Sequence, residues 1–240
     1  AAAAFTLINL IYGYFILPES LDKKNRRKFD IKRANPVGTL MSLKRYPVIS
    51  GLLICIVLFN IAQHATHSTW TFFTIEKFDW SEKLVGYSLG FIGLLAAIVQ
   101  GGLIRVIIPK LGNVKSVYFG MIFYILGLSL FSFAEEGWMV FAFAIPLSLG
   151  GISGPALQGI MTNKIPDDEQ GEFQGGMTSL VSLTAIIGPL LMTNLFSYFT
   201  SENSFYYFPG APFMLGAILS FFGLIIAIRF LSSSKSLSNI

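Results

Sequence analysis

Two histidines and an asparagine recur at helical spacing inside an otherwise apolar segment. Asn60, His64 and His67 are separated by four and three residues, which places them on one face of a helix. An unperturbed imidazole titrates at about pH 6.5, so both histidines are suited to carrying protons. Because polar groups are costly against lipid, this face should meet a solute cavity or form hydrogen bonds to a neighbouring helix. We favour the cavity, although His67 lies nearer the outer surface, where solvation is easy.

The other reactive side chains form no catalytic or metal-binding pattern. Asp167, Asp168, Glu169 and Glu172 offer carboxylates, which hard cations prefer as ligands. They directly precede an apolar segment that begins near Phe173, and acidic residues stabilise a helix N-terminus. No set of nucleophile, base and orienting residue appears, no glycine-rich phosphate loop follows a strand, and no metal-ligand spacing is present in the sequence. We therefore predict a protein that is not an enzyme and has no metal or other cofactor.

The composition is that of a membrane protein. Hydrophobic residues make up 53% of the chain and charged residues 12%, whereas about a quarter of residues are charged in soluble domains. The apolar residues form blocks that approach or exceed the length of about 20 needed to cross the bilayer as a helix. The six predicted spans are Val48–Phe73, Leu84–Ile108, Val114–Ala134, Trp138–Met161, Phe173–Phe199 and Ala211–Leu231.

The remaining segments complete a predicted domain organisation. Residues 1–17 are interpreted as the end of a preceding transmembrane helix, whose start and upstream half lie outside this sequence. Residues 18–47 form a basic loop that either links two six-helix halves or binds anionic lipid through its KKNRRK run. Residues 48–231 form a six-helix bundle, and residues 232–240 form a serine-rich tail.

The positive charges define the topology. All but two of the 17 Lys and Arg residues fall on one side of the predicted spans; the exceptions are Lys77 and Lys83. The basic side of short loops is cytoplasmic, which places the C-terminus inside. The net charge of +4 thus reflects topology and not nucleic-acid binding. Trp70, Trp80 and Trp138 lie near the opposite ends of spans and are interpreted as interface anchors.

Small residues and prolines predict how the helices pack. Pro155 and Pro189 interrupt the backbone hydrogen bonds of their spans and are predicted to be hinges or passive kinks. Glycines let helices approach closely, and close packing is expected at Gly86, Gly90, Gly101, Gly102, Gly150, Gly151, Gly154, Gly175 and Gly176. No Asp or Glu lies inside a predicted span. Since proton-coupled carriers commonly use a carboxylate, we expect that group upstream of this sequence.

Several motifs resemble a known family over nearly the whole chain. They are LPES at Leu17, W-x-x-F at Trp70, KFDW at Lys77, PKLG at Pro109, GGISGPALQ at Gly150, QGEFQG at Gln170 and SLTAIIGPLL at Ser182. Together they resemble the C-terminal half of the tetracycline:proton antiporters of the major facilitator superfamily. The resemblance implies an all-α membrane fold of twelve helices in two halves, with substrate in a cavity between them. This chain would supply the C-terminal six-helix bundle and the end of the preceding helix.

The resemblance also implies roles for individual residues, and at two of these positions the chain differs from the family. That family carries a membrane-embedded His in the eighth helix and an Asp in the ninth, where this chain has Ala96 and Tyr124. Neither replacement carries a proton near neutral pH, although Tyr124 offers a hydroxyl or an aromatic face. Positions that match the family are Gln100, Gln158, Pro155, Gly188 and Pro189, together with Gly112 and Lys115 in a degenerate copy of the superfamily loop motif.

The predicted function is secondary active transport of a small organic solute by alternating access, with proton-coupled efflux as the favoured direction. Asn60, His64, His67, Gln100, Tyr124 and Gln158 are the predicted cavity contacts. Gly112, Lys115, Pro155, Gly188 and Pro189 are the predicted hinge or gating residues. The alternatives are a proton-coupled importer and a membrane receptor that does not transport. The predicted partners are the solute, the bilayer and the missing N-terminal half, and the predicted location is the bacterial inner membrane.

Overall fold

A computed structural model describes residues 2–16 and 47–237, with side-chain environments for 4–16 and 48–232. These residues are almost entirely helical, and no strand occurs within the described ranges. Apart from its last residue, the predicted loop at 18–47 lies outside the described residues, as do residues 238–240 of the predicted tail. The predicted all-α fold is therefore confirmed for the described part of the chain.

Eight α-helices, numbered in chain order, make up most of the described structure. The sequence gives each a largely apolar composition, so that five continuous helical stretches are long and apolar enough to cross a membrane. The helices are α1 (Ala2–Ile16), α2 (Pro47–Phe78), α3 (Glu82–Ile98), α4 (Ile104–Ser132), α5 (Gly137–Leu149), α6 (Ser153–Thr162), α7 (Gln170–Thr200) and α8 (Ala211–Leu237). A π-helix, Val99–Leu103, joins α3 to α4, and a 3₁₀ turn, Gly150–Ile152, joins α5 to α6.

The stretch Glu82–Ser132 folds back on itself. Its 51 residues would extend about 75 Å as one straight helix, over twice the hydrocarbon thickness of a bilayer. Gly112 interrupts it with φ 76° and ψ 159°, a conformation that glycine adopts without steric cost. Both ends lie at the same end of the bundle, because the Trp80 ring packs on Phe141 at 5.7 Å between centroids. This stretch therefore supplies two crossings, separated at Gly112.

The core is formed where α2, α4 and α8 meet. Phe73 packs on Phe213 at 4.8 Å, Phe131 packs on Phe213 at 5.8 Å, and all three are fully buried. Aromatic rings of this size bury enough apolar surface to dominate local packing. Helix α2 also packs along α7, while α4 packs along α5 and α6. These contacts fix the positions of α2, α4 and α6 around the site described below.

Two helices, α3 and α7, expose long apolar faces. Only Val85 and Ser88 are buried in α3, while Ile186 and Leu190 of α7 are 64% and 60% exposed. At several of the glycines predicted to pack closely, no described helix does so, because a side chain added there would meet no atom within 4 Å. The reason is that no described residue covers these backbone positions, which are Gly86, Gly90, Gly101, Gly102, Gly154 and Gly175.

The last helix extends further than its apolar run. Helix α8 ends at Leu237, whereas the predicted span ends at Leu231. The polar residues that follow Leu231 continue the helix because its backbone hydrogen bonds do not require apolar side chains once the chain has left the membrane core.

Candidate solute cavity

A cavity of about 560 Å³ opens between α2, α3, α4 and the α5–α6 junction. Its volume is within the range of small-molecule sites, roughly 300 to 1,000 Å³. No Asp, Glu, Lys or Arg occurs among the described residues that line it. The lining consists of Phe59, Gln63, Thr66, His67, Trp70, Thr71, Leu89, Ile92, Ala96, Gln100, Tyr124, Leu147, Ser148, Gly151, Gly154 and Pro155.

Helix α2 supplies one wall of the cavity. Phe59, Gln63, Thr66 and Trp70 follow one another at intervals of four, three and four residues, so they share one helical face. His67 lies at the edge of this face and is exposed. Phe59, Gln63 and Thr66 were not predicted as cavity residues, although the same helical spacing that identified the histidines would also have identified them.

Asn60 and His64 do not line the cavity. A residue advances about 100° around a helix, which rotates this pair away from the face that carries Thr66 and Trp70. The Asn60 amide donates to the Ile56 carbonyl oxygen at 2.9 Å. The His64 ring packs against Gly188 of α7, and its centroid lies 6.2 Å from that of His67. The predicted stripe is thus divided between a helix contact and the cavity edge.

Gln100 lines the cavity from a local irregularity in the helix. It lies in the π-helix Val99–Leu103, a feature that is rare and frequent at functional sites. Its amide nitrogen would lie 3.9 Å from a side chain placed on Gly151 across the cavity. Gln158 of α6 is exposed and is absent from the cavity lining. The two matched glutamines therefore have different environments.

Tyr124 places a buried phenol in the cavity wall. The ring is 7% exposed and packs on Phe59 at 4.7 Å between centroids. Gly150 allows this position, since a side chain there would come within 2.6 Å of the Tyr124 Cβ. The Thr66 hydroxyl lies beside the phenol but has no hydrogen bond of good geometry within the described structure. Tyr124 thus contributes an apolar ring and a hydroxyl, with no negative charge.

Trp70 is a buried part of the site, and its interpretation as an interface anchor is wrong. The side chain is 2% exposed, and Trp80 is 8% exposed. The Trp70 indole nitrogen donates to the Ser88 hydroxyl at 3.0 Å, which in turn donates to the Val85 carbonyl oxygen at 2.7 Å. This bond holds α3 against α2 because a buried indole N–H requires a partner. Trp138, by contrast, is 65% exposed.

The predicted hinge residues are distributed over three regions. Pro155 is exposed and lines the cavity near the start of α6. Gly188 is buried against His64, and the adjacent Pro189 lies within the continuous helix α7. Gly112 and Lys115 lie at the turn within α4, where the Ser116 hydroxyl donates to the Gly112 carbonyl oxygen at 2.9 Å. Their roles in gating stay predictions.

Comparison with protein families identifies the fold. The model of the Major Facilitator Superfamily matches residues 1–189. The chain belongs to the major facilitator superfamily. Together with the long apolar helices, this makes it an integral, multi-pass membrane protein of a family of transporters.

Several curated relatives are similar to the chain. It is 32% identical over 219 residues to the class C tetracycline resistance protein of Escherichia coli, covering 91% of this chain and 54% of the relative. It is 34% identical to the class E protein of Escherichia coli, covering 82% and 48%. It is 24% identical to the human Hippocampus abundant transcript-like protein 1, covering 98% and 50%. The chain spans about half the length of these relatives, and the resemblance stated from its motifs is confirmed.

Proposed function

We propose that this chain forms the C-terminal half of a membrane transporter that exports a small organic solute in exchange for protons. The observation that carries the proposal is the cavity of about 560 Å³, lined by polar and apolar residues inside a bundle of membrane-length helices. Polar side chains such as Gln63 and Gln100 are unfavourable against lipid. A water-filled path for a solute accounts for their position.

The second half of the transporter would cover the faces that α3 and α7 leave open. The relatives are about twice as long as this chain, and transporters of this type bind their substrates between two halves. The glycines with free space on α3 and α7 would let helices of the other half approach closely. The cavity lining from α2 and α3 would then form one wall of a larger site.

Efflux is proposed from similarity to tetracycline resistance proteins. Tetracycline is one candidate solute, but specificity for it is not part of the proposal, because Ala96 and Tyr124 stand where the antiporters have a histidine and an aspartate. Of the cavity residues, His67 carries an imidazole, the side-chain type that most readily exchanges protons near neutral pH. A carboxylate in the other half is the second proposed proton carrier.

Solute-driven proton movement tests this proposal directly. The full-length protein would be reconstituted into liposomes with an acidic interior and a pH-sensitive dye, with the cytoplasmic face outward. Tetracycline and 2-naphthamide would be added separately to the outside. An exporter that exchanges protons should collapse the pH gradient when a transported solute enters the acidic lumen. Empty liposomes and liposomes with protein but no solute are the controls.

The outcomes distinguish a proton-coupled exporter, an importer and a receptor that does not transport. Solute accumulation coupled to loss of the pH gradient supports proton-coupled export. Solute movement that requires the opposite gradient supports an importer and contradicts efflux. If neither solute moves in either direction although a bilayer-inserted, folded protein is present, transport is contradicted and the receptor is favoured.

A further inference from the structure

The described cavity wall contains polar side chains but no Asp, Glu, Lys or Arg. Its polar side chains are amides, hydroxyls, one imidazole and one indole, at Gln63, Thr66, His67, Trp70, Thr71, Gln100, Tyr124 and Ser148. No carboxylate lines the described cavity, and none of the predicted spans contains Asp or Glu. A cationic solute that leaves water for this wall would lose hydration without gaining a negatively charged partner. That loss is costly in an environment of low dielectric constant.

Two buried hydroxyl groups in the same wall lack a hydrogen bond of good geometry. The Ser148 oxygen makes no hydrogen bond within the described structure, and the Thr66 oxygen lies beside the Tyr124 phenol without a well-aligned bond. Both residues line the cavity. Buried polar atoms normally have a partner, so each unsatisfied one requires an explanation. A carbonyl or amide group of a solute would satisfy them without introducing charge.

Aromatic residues do not compensate for the missing carboxylate. A cage for an organic cation needs ring faces that remain open to the cation. Here Phe59 packs on Tyr124, and Trp70 packs edge-on against Phe131 at 5.2 Å. Phe59, Trp70 and Tyr124 are each less than 8% exposed, so most of their ring surface is already in contact with the protein.

We propose that this wall selects uncharged solutes that combine an apolar body with amide, carbonyl or hydroxyl groups, and that it rejects organic cations. This inference rests on the proposed function, because it names the substrate class of the same cavity. The apolar body would contact Leu89, Ile92 and Leu147, and the polar group would bond to Gln63, Gln100 or the two buried hydroxyls. The departure at Tyr124 from a carboxylate to a phenol is part of this selectivity.

Two probes of the same ring system separate charge from shape. The neutral probe is 2-naphthamide and the cationic probe is 2-naphthylmethylamine, which is protonated at pH 7. Their affinities for the detergent-solubilised full-length protein would be measured by titration calorimetry. The amide should bind at least about tenfold more tightly than the amine, the ratio produced by a difference of about 1.4 kcal/mol. Equal affinities, or tighter binding of the amine, would overturn the proposal.

A gain of cation binding provides the second test. In Gln100→Glu a carboxylate replaces an amide of nearly the same shape in the cavity wall, so affinity for the amine should rise about tenfold. The matched control is Gln174→Glu, which makes the same change in α7 outside the cavity lining and should leave both affinities unchanged. An unchanged amine affinity in folded Gln100→Glu protein would contradict the assignment of this wall.

The experiments distinguish an incorrect substrate class from an incorrect transport function. If the liposome assay detects solute movement but the wild-type protein prefers the amine, the proposed function stands and the substrate class is wrong. If neither probe binds, the substrate class is also wrong, whereas transport is still decided by the flux measured with tetracycline. Absence of flux with either solute contradicts the proposed function whatever the binding results are.

Discussion

The imidazole of His64 occupies the space that a side chain on Gly188 would require. This contact joins α2 to α7 at the position where Pro189 removes one backbone N–H from the α7 hydrogen-bond ladder. A helix that lacks one of its own hydrogen bonds depends more on its neighbours for its local geometry. His64 is therefore a packing residue at the α2–α7 contact in this structure.

Gly188→Ala is expected to destabilise the protein. The added methyl group would lie closer to the His64 ring than van der Waals contact allows, and overpacking of this kind typically costs about 1 to 3 kcal/mol. Thermal unfolding of the purified full-length protein in detergent should show a lower Tm. Gly171→Ala, on the same helix but before the predicted span that begins at Phe173, has nothing within 4 Å; it is the control and should not lower the Tm.

Removing the His64 ring should rescue the Gly188 variant. In His64→Ala the space beside Gly188 is free, so the double variant should lose less stability than the sum of the two single variants. Strictly additive losses would mean that the two side chains do not share this space.

The hydrogen bond from Trp70 to Ser88 should contribute measurably to stability. Ser88→Ala leaves the buried indole N–H without its acceptor, which costs about 1 to 3 kcal/mol. Chemical or thermal unfolding measures the loss. Thr178→Ala is a suitable control, since the exposed Thr178 hydroxyl bonds only to Gln174 of its own helix at 2.9 Å. A Ser88→Ala protein as stable as this control would contradict the importance of the α2–α3 bond.

Substitutions of Gln100 and Gln158, the two glutamines that match the family motifs, should affect transport differently. Gln100 lines the cavity, so Gln100→Ala should raise the KM for a transported solute about fivefold to tenfold, as expected for loss of one hydrogen bond worth about 1 kcal/mol. Gln158 is exposed and outside the cavity lining, so Gln158→Ala should leave KM within about twofold of wild type. Flux into liposomes at several solute concentrations gives both constants. The reverse order of effects would move the solute site towards α6.

A contact between α2 and the loop that joins α7 to α8 should weaken at high pH. The Tyr207 hydroxyl donates to the Glu76 carboxylate at 3.0 Å, and partial burial, this hydrogen bond and the negative charge raise the pKa of Tyr207 above its usual value. The neutral phenol is favoured in the folded state, so its stabilising effect is complete below the ordinary tyrosine pKa of about 10. It is lost as pH rises through the higher folded value. Wild type should therefore lose more Tm than Tyr207→Phe above about pH 10; parallel curves would contradict the contact.

Much of the fold followed from patterns that the membrane itself imposes. Blocks of about 20 apolar residues must form helices because lipid offers no hydrogen-bond partners. The break predicted between the spans that end at Ile108 and begin at Val114 falls at Gly112, whose freedom of φ permits it. The hairpin within Glu82–Ser132 was also evident from the basic residues around Gly112. These features depend on local sequence, which explains why they were predictable.

The walls of the cavity were less predictable because they depend on how the helices are rotated. The histidine spacing identified the correct helix but not the face that meets the cavity, so Asn60 and His64 were grouped with His67. Trp70 resembled an interface anchor by its position, yet its contacts with Ser88 and Phe131 bury it. Likewise, a glycine such as Gly150 packs closely, whereas Gly154 does not, and only the neighbouring helices decide between them.

The central claim is that the cavity beside Gln100 is the path of the solute, and protection from chemical labelling tests it most directly. In the full-length protein, Gln100→Cys would be labelled by a water-soluble thiol reagent with and without saturating 2-naphthamide; Cys55 is fully buried and serves as an unreactive internal background. Gln158→Cys is the matched control outside the cavity. We predict that the solute slows labelling at position 100 about tenfold and leaves position 158 unchanged. Equal labelling at position 100 with and without solute would contradict the account.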